Sequence, residues 1–247
     1  MHIHVKKDIC RGMPMITRLR NHKKDILCFL LFCAVAGLFL VMQIRKREES
    51  KMMEVMNQQE SPEVIKIALT FDDGPHPYYT KQLLDGLKER GVKATFFITG
   101  QNAKEHPEIV KRIFEEGHII GNHTYSHMQL TKSNGNEFKQ ELIDTNEVIK
   151  EITGEDVIYV RPPYGCWDKQ LETELNLFPV LWSIDPQDWC SSDAGCIARH
   201  VIAKAEDNDI VLMHDCYKTT VTAALDVIDS LQKKGYDFVT VEELLFD

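Results

Sequence analysis

Apolar and polar positions change their period along the chain, and the changes divide it. From Ile26 to Ile44 nineteen consecutive residues carry no charge and leave no polar face. After Ser61 the pattern becomes short apolar runs separated by amphipathic stretches. The runs I-K-I-A-L-T-F (65–71), A-T-F-F-I-T (94–99), H-I-I-G-N-H (118–123), V-I-Y-V-R (157–161), P-V-L-W-S-I (179–184), D-I-V-L-M-H (209–214) and D-F-V-T-V (237–241) have the length and bulk of buried strands. Helical periodicity fills 79–90, 107–116, 136–153 and 220–234. Gly91, Gly117, Gly154 and Gly235 stand where glycine ends a helix. Seven strands interleaved with helices predict parallel βαβ units, hence an α/β fold.

The uncharged N-terminal run approaches the 20 or so apolar residues that cross a bilayer as a helix. A cleaved signal peptide has an apolar region of only about 7–15 residues. The longer run, followed directly by Arg45-Lys46-Arg47, favours an uncleaved transmembrane anchor over 26–44. Lys6, Lys7, Arg11, Arg18, Arg20, Lys23 and Lys24 outweigh Arg45, Lys46, Arg47 and Lys51 across it. That asymmetry predicts a single-pass protein of the cell membrane, with a cytoplasmic basic tail (1–25) and an extracellular body. A polar stalk (45–62) joins the anchor to the body (63–247).

Charge sharpens this division. The first 60 residues hold 11 of the 29 Lys and Arg but only 6 of the 38 Asp and Glu, leaving the remainder with 18 basic and 32 acidic residues. So acidic a body excludes nucleic acid as the partner, because phosphate binding needs fields of Lys and Arg. Cys166, Cys190, Cys196 and Cys216 lack the C-x-x-C spacing of a structural zinc site and stand equally as bridges or free thiols.

Polar residues choose between an open sheet and a barrel. Asp72-Asp73, His123, Arg161, Asp185 and His214-Asp215 all fall at or just after strand ends, spread over five strands. Barrels collect functional groups there, whereas open sheets gather a ligand near one switch point. No glycine-rich phosphate loop follows the first strand. The expected fold is a distorted (β/α) barrel of about seven strands.

Five segments carry the candidate chemistry. In T-F-D-D-G-P (Thr70 to Pro75) two carboxylates leave a buried strand together and can serve one site differently, one holding a metal and one taking a proton. In H-T-Y-S-H two histidines four apart, His123 and His127, are expected on one face of a helical turn, and with Asp73 they form a ligand set for a divalent ion. R-P-P-Y-G places Arg161 at a strand end, and its prolines fix an extended path that presents the Tyr164 N–H as an oxyanion donor. D-P-Q-D-W contains Asp185, Asp188 and Trp189. L-M-H-D ends a strand at His214, a candidate general acid once a carboxylate holds it charged.

In this order and spacing, the five segments resemble the polysaccharide deacetylases (carbohydrate esterase family 4, the NodB homology domain) over about residues 64–246. Within that family the chain is most similar to bacterial peptidoglycan N-acetylglucosamine deacetylases. The resemblance implies Asp72 as general base and Asp73, His123 and His127 as ligands of a divalent ion. Zn2+ is the first expectation, with Co2+ or another divalent ion also compatible. It further implies that Arg161 tunes Asp72, that the Tyr164 amide stabilises the oxyanion, and that Asp188 supports His214 as general acid. Trp189, Leu212, Pro162 and Tyr164 form the substrate wall. The implied activity is removal of N-acetyl groups from a cell-wall glycan, with release of acetate. An O-acetyl esterase acting on xylan-like glycan with the same residues is the alternative.

Overall fold

The structure, a computed structural model, describes residues 15–57 and 64–246. Two compact units divide after Pro62. In the first, a single helix α1 (Met15–Asn57) runs for 43 residues. Every side chain described on it, from Ile26 to Met53, is exposed, and this 28-residue stretch is long and apolar enough to cross a bilayer. The helix continues past both ends of the apolar run, so the expected stalk is helical as far as Asn57. Residues 58–62 of that stalk and 1–14 of the expected tail lie outside the described residues.

The second unit alternates strands and helices: β1 (Ile65–Asp72), α2 (Tyr79–Glu89), β2 (Thr95–Ile98), α3 (Gly100–Glu105), α4 (Pro107–Glu115), β3 (Ile119–Asn122), α5 (Gly135–Thr153) and β4 (Tyr159–Val160). There follow α6 (Lys169–Leu175), β5 (Phe178–Pro179), α7 (Ala194–Lys204), β6 (Asp209–His214), α8 (Lys218–Gln232), β7 (Tyr236–Phe238) and α9 (Val241–Phe246). All pairings are parallel, in the order β5-β4-β3-β2-β1-β6, with β7 against the first residues of β1. Gly91, Gly117, Gly154 and Gly235 all take positive φ behind their helices.

The run expected as one strand over 179–184 does two jobs in turn. Phe178 and Pro179 pair with β4. Pro179 has no N–H to donate, and beyond Val180 the chain leaves β4. It then reaches the other end of the sheet. Ile184 bridges Val211, with Ser183 N–H donating to Ile210 O at 2.9 Å and Leu212 N–H to Ile184 O at 2.9 Å. This segment joins the two sheet edges, so the fold closes as a distorted barrel.

Strand alternation sorts the buried side chains. Ile67, Leu69 and Phe71 of β1, with Phe96 and Ile98 of β2, pack under the helices. Ala68 and Phe97 point the other way and meet Tyr159, Val180 and Val241 inside the barrel. Gly121 leaves room for that filling, since a Cβ there would lie 2.4 Å from the Phe97 ring. The four cysteines of this unit are free thiols.

Candidate active site

β1 ends on Asp72, whose side chain follows the inward alternation of Ala68 and Thr70. It is 3% exposed. Arg161, one residue past β4, meets it there: Nη1 donates to Asp72 Oδ1 at 2.8 Å and to Thr70 Oγ1 at 2.6 Å. Nε donates to Val180 O at 3.0 Å and Nη2 to Leu181 O at 3.2 Å. The guanidinium lies 4.2 Å over the Phe97 ring and 5.7 Å from that of Trp182. Complete burial lowers the Arg161 pKa against the pull of Asp72, but a guanidinium starts so high that it stays charged.

Asp73 adopts φ 69°, and this left-handed step turns its side chain out of the strand's alternation. Asn102 Nδ2 donates to the Asp73 carbonyl at 2.7 Å, and Thr99 N–H to the Gly74 carbonyl at 3.1 Å. Asp72 thus meets Arg161, whereas the Asp73 carboxylate turns to His123 and His127.

His123 and His127 come together, but not on a helical turn. The segment is an irregular loop in which Thr124 and His127 take φ 63° and 60°. Side-chain oxygens intercept the N–H groups that a helix would send to carbonyls. Asn122 Oδ1 accepts from Thr124 N–H at 2.8 Å. Glu141 of α5 accepts from Tyr125 N–H at 2.9 Å, Ser126 N–H at 2.7 Å and Ser126 Oγ–H at 2.8 Å. Neither Asn122 nor Glu141 stood out in the sequence, since each acts through folded proximity.

The resulting group fits a cation. His123 Nδ1 lies 2.6 Å from the Arg161 carbonyl, which can only accept, so Nδ1 carries the proton and Nε2 keeps a lone pair. That Nε2 lies 3.3 Å from Asp73 Oδ1, and His127 Nε2 lies 3.4 Å from the same oxygen. Metal bonds of 2.0–2.2 Å at a tetrahedral angle set ligand atoms roughly 3.4 Å apart. Asp73 Oδ1 is buried with no hydrogen-bond partner. Burial also holds the His127 imidazole below its ordinary pKa, against Asp73, which keeps it neutral and able to bind an ion. The three donor atoms lie within 4.8 Å of one another.

Across the pocket, the last residue of β6 is His214. Its Nδ1 donates to Asp188 Oδ1 at 2.8 Å, leaving Nε2 free for the pocket. Asp188 Oδ2 accepts from the His214 N–H at 2.8 Å and from Thr220 Oγ1 at 2.6 Å, so the carboxylate is fixed on both oxygens. Burial opposes a charge on His214. The hydrogen bond and charge of Asp188, with the charges of Asp72 and Asp73, outweigh it and push the pKa up to about 9.

Asp72, Asp73, His123, His127, Pro162, Tyr164, Trp189, Leu212 and His214 line one pocket of about 370 Å³, with Arg161 and Asp188 behind its wall. Tyr164 adopts φ 60°, ψ 13° in a one-turn 3-10 helix, a sparsely populated conformation of the kind found at functional sites. Tyr164 and Trp189 expose aromatic faces, while Leu212 is buried. Asp185 and Trp182 also line the pocket. Trp182 escaped the sequence reading because it sits inside an apolar run that scans as core.

A family model for polysaccharide deacetylase matches residues 59–180. The peptidoglycan-N-acetylglucosamine deacetylase PgdA of Listeria monocytogenes is 43% identical over 179 residues, 72% of this chain and 38% of the relative. This chain thus spans well under half the length of that relative. A peptidoglycan-N-acetylglucosamine deacetylase of Bacillus cereus is 40% identical over 187 residues, 72% of this chain and 87% of the other. Among solved structures, the peptidoglycan deacetylase PdaC of Bacillus subtilis matches with a TM-score of 0.71 at 39% identity, covering 75% of this chain and 92% of that one. Fold, motif order and these likenesses agree that the chain belongs to the polysaccharide deacetylase family.

Proposed function

We propose that this protein is a metal-dependent N-deacetylase that hydrolyses the acetamido group of N-acetylglucosamine residues in peptidoglycan or a related glycan. The observation that carries the reading is the placement of opposite proton functions on either side of the ligand group. Asp72 pairs with Arg161 on one side, and His214 is held as a cation by Asp188 on the other.

Asp73, His123 and His127 would hold a divalent ion, Zn2+ as first choice, which would supply Lewis-acid polarisation of the amide carbonyl and of the attacking water. Asp72 accepts the proton of that water as its oxygen bonds to the carbonyl carbon. The Tyr164 N–H donates to the developing oxyanion. His214 Nε2–H delivers a proton to the sugar nitrogen as the C–N bond breaks, because an amine anion is too poor a leaving group to depart alone. Acetate and a free amine result. Trp189 and Leu212 enclose the acetyl methyl.

The Bacillus subtilis relative is named a peptidoglycan-N-acetylmuramic acid deacetylase, so relatives differ in the sugar they are named for. Muramic acid carries a lactyl carboxylate beside the acetamido group. The Listeria monocytogenes and Bacillus cereus relatives are named for N-acetylglucosamine, which supports that unit here. The apolar stretch of α1 serves as an uncleaved anchor with the N-terminus cytoplasmic and the body outside, as the basic flanks favour.

Purified chain is expected to release acetate from N-acetylglucosamine oligomers, to do so less well from acetylxylan, and to stop when the metal is chelated. Acetate release that persists undiminished after chelation overturns the reading. Protease added outside intact cells is expected to remove the body and leave α1 in the membrane.

A further inference from the structure

Asp215 directly follows His214, is fully buried, and has no part in the chemistry above. Its carboxyl reaches across the β1–β6 pair, where Asp72 stands level with His214. Thr80, in the first turn of α2, donates its hydroxyl to Asp215 Oδ2 in a short hydrogen bond. The same hydroxyl accepts from His76 N–H at 2.7 Å. The segment that follows the two aspartates is thereby tied to the end of β6.

The carboxyl also decides what can stand at position 74. A Cβ built on Gly74 would lie 2.5 Å from Asp215 Oδ1 and 2.6 Å from Oδ2. Space, rather than backbone freedom, makes this residue glycine. Asp215 Oδ1 is buried with no hydrogen-bond partner, and burial pushes the carboxyl pKa up to about 7 despite the bond from Thr80. An unpartnered buried oxygen is costly, and an apolar residue would fill the same space at less cost. The choice of aspartate here calls for another reason.

We propose that Asp215 is a positioning residue of the site. By gripping Thr80 and packing on Gly74, it holds the turn after Asp72 and Asp73 against the start of α2. That keeps Asp73 in place for the ion it shares with His123 and His127. The inference rests on the metal-dependent reading above, and its effect is the one expected of a group that orients a ligand without touching the metal.

The test uses the full chain in detergent. Zn2+ affinity is measured by competition with a chromophoric chelator, and kcat and KM on N-acetylglucosamine oligomers. Asp215→Ala and Thr80→Val are expected to lose about 10–100-fold in Zn2+ affinity and to lower kcat with KM unchanged. Asp215→Asn keeps an acceptor for Thr80, Thr80→Ser keeps the hydroxyl, and both are expected to stay near wild type. If Asp215→Ala does not fold, the Thr80→Val and Thr80→Ser pair decides alone. Variants that lose thermal stability but keep Zn2+ affinity and kcat overturn the inference by itself. Wild-type chain that binds no Zn2+ overturns the functional reading and this inference together.

Discussion

Arg161 Nη1 lies 2.8 Å from Asp72 Oδ1, and both side chains are buried, Asp72 at the pocket wall. A buried cation that also donates to Val180 O and Leu181 O cannot swing away, so the Asp72 charge has a fixed partner. Asp72→Asn keeps the shape and removes the proposed base. Its kcat is expected to fall about 100- to 10,000-fold, with bound metal unchanged by elemental analysis. Retained activity in this variant sinks the assignment of the base.

Arg161→Met removes one half of the same pair. Breaking a buried pair by deleting one partner costs about 3–5 kcal/mol, because a charge is left behind without compensation. Denaturant unfolding of the body is expected to show a loss of that order, along with a loss of activity. Arg161→Lys is expected to restore little, since an ammonium cannot reach Asp72, Thr70, Val180 and Leu181 together.

The pH profile follows from His214. A general acid must be protonated, and the Asp188 bond raises the His214 pKa, so kcat is expected to hold through the ordinary histidine range and decline only above it. Asp188→Asn removes the charge that raises this value and is expected to move the decline toward the ordinary histidine range. Stability has the same sign. The folded pKa lies above the unfolded 6.5, so this group's contribution is complete below about 6.5 and lost as pH passes about 9. Denaturant titrations across that window check it. An unshifted profile in Asp188→Asn would count against His214 as the acid.

Glu141 holds three donors of the His123–His127 loop and touches neither histidine in those bonds. Glu141→Gln keeps the volume and replaces one acceptor oxygen by a donor. Metal affinity is expected to drop about 10–100-fold, measured by chelator competition, while the oligomer KM changes little.

The sequence was most readable where one cause acts on its own. β1 and β6 are continuous apolar runs and form close to where they were expected. β4 and β5 shrink to two residues each, because Pro162-Pro163 ends one and Pro179 interrupts the other. The site residues were legible because their chemistry is rare: paired carboxylates, spaced histidines, a strand-end arginine. Their conformation was not. The i, i+4 spacing of His123 and His127 suited a helix, yet Glu141, far away in sequence, captured the backbone instead. Supporting residues such as Thr70, Asn102, Glu141 and Trp182 carry ordinary local signatures, and only the folded chain brings them against the site residues or their backbone.

The Nε and Nη2 groups of Arg161 rest on main-chain carbonyls, those of Val180 and Leu181. Any amino acid supplies a carbonyl, so this part of the support is indifferent to what is encoded at 180 and 181. The Leu181 side chain is half exposed, so it can be replaced without disturbing the arginine. Tolerance and support coexist at Leu181 because one belongs to the side chain and the other to the backbone, whereas the Val180 side chain is committed to the barrel interior.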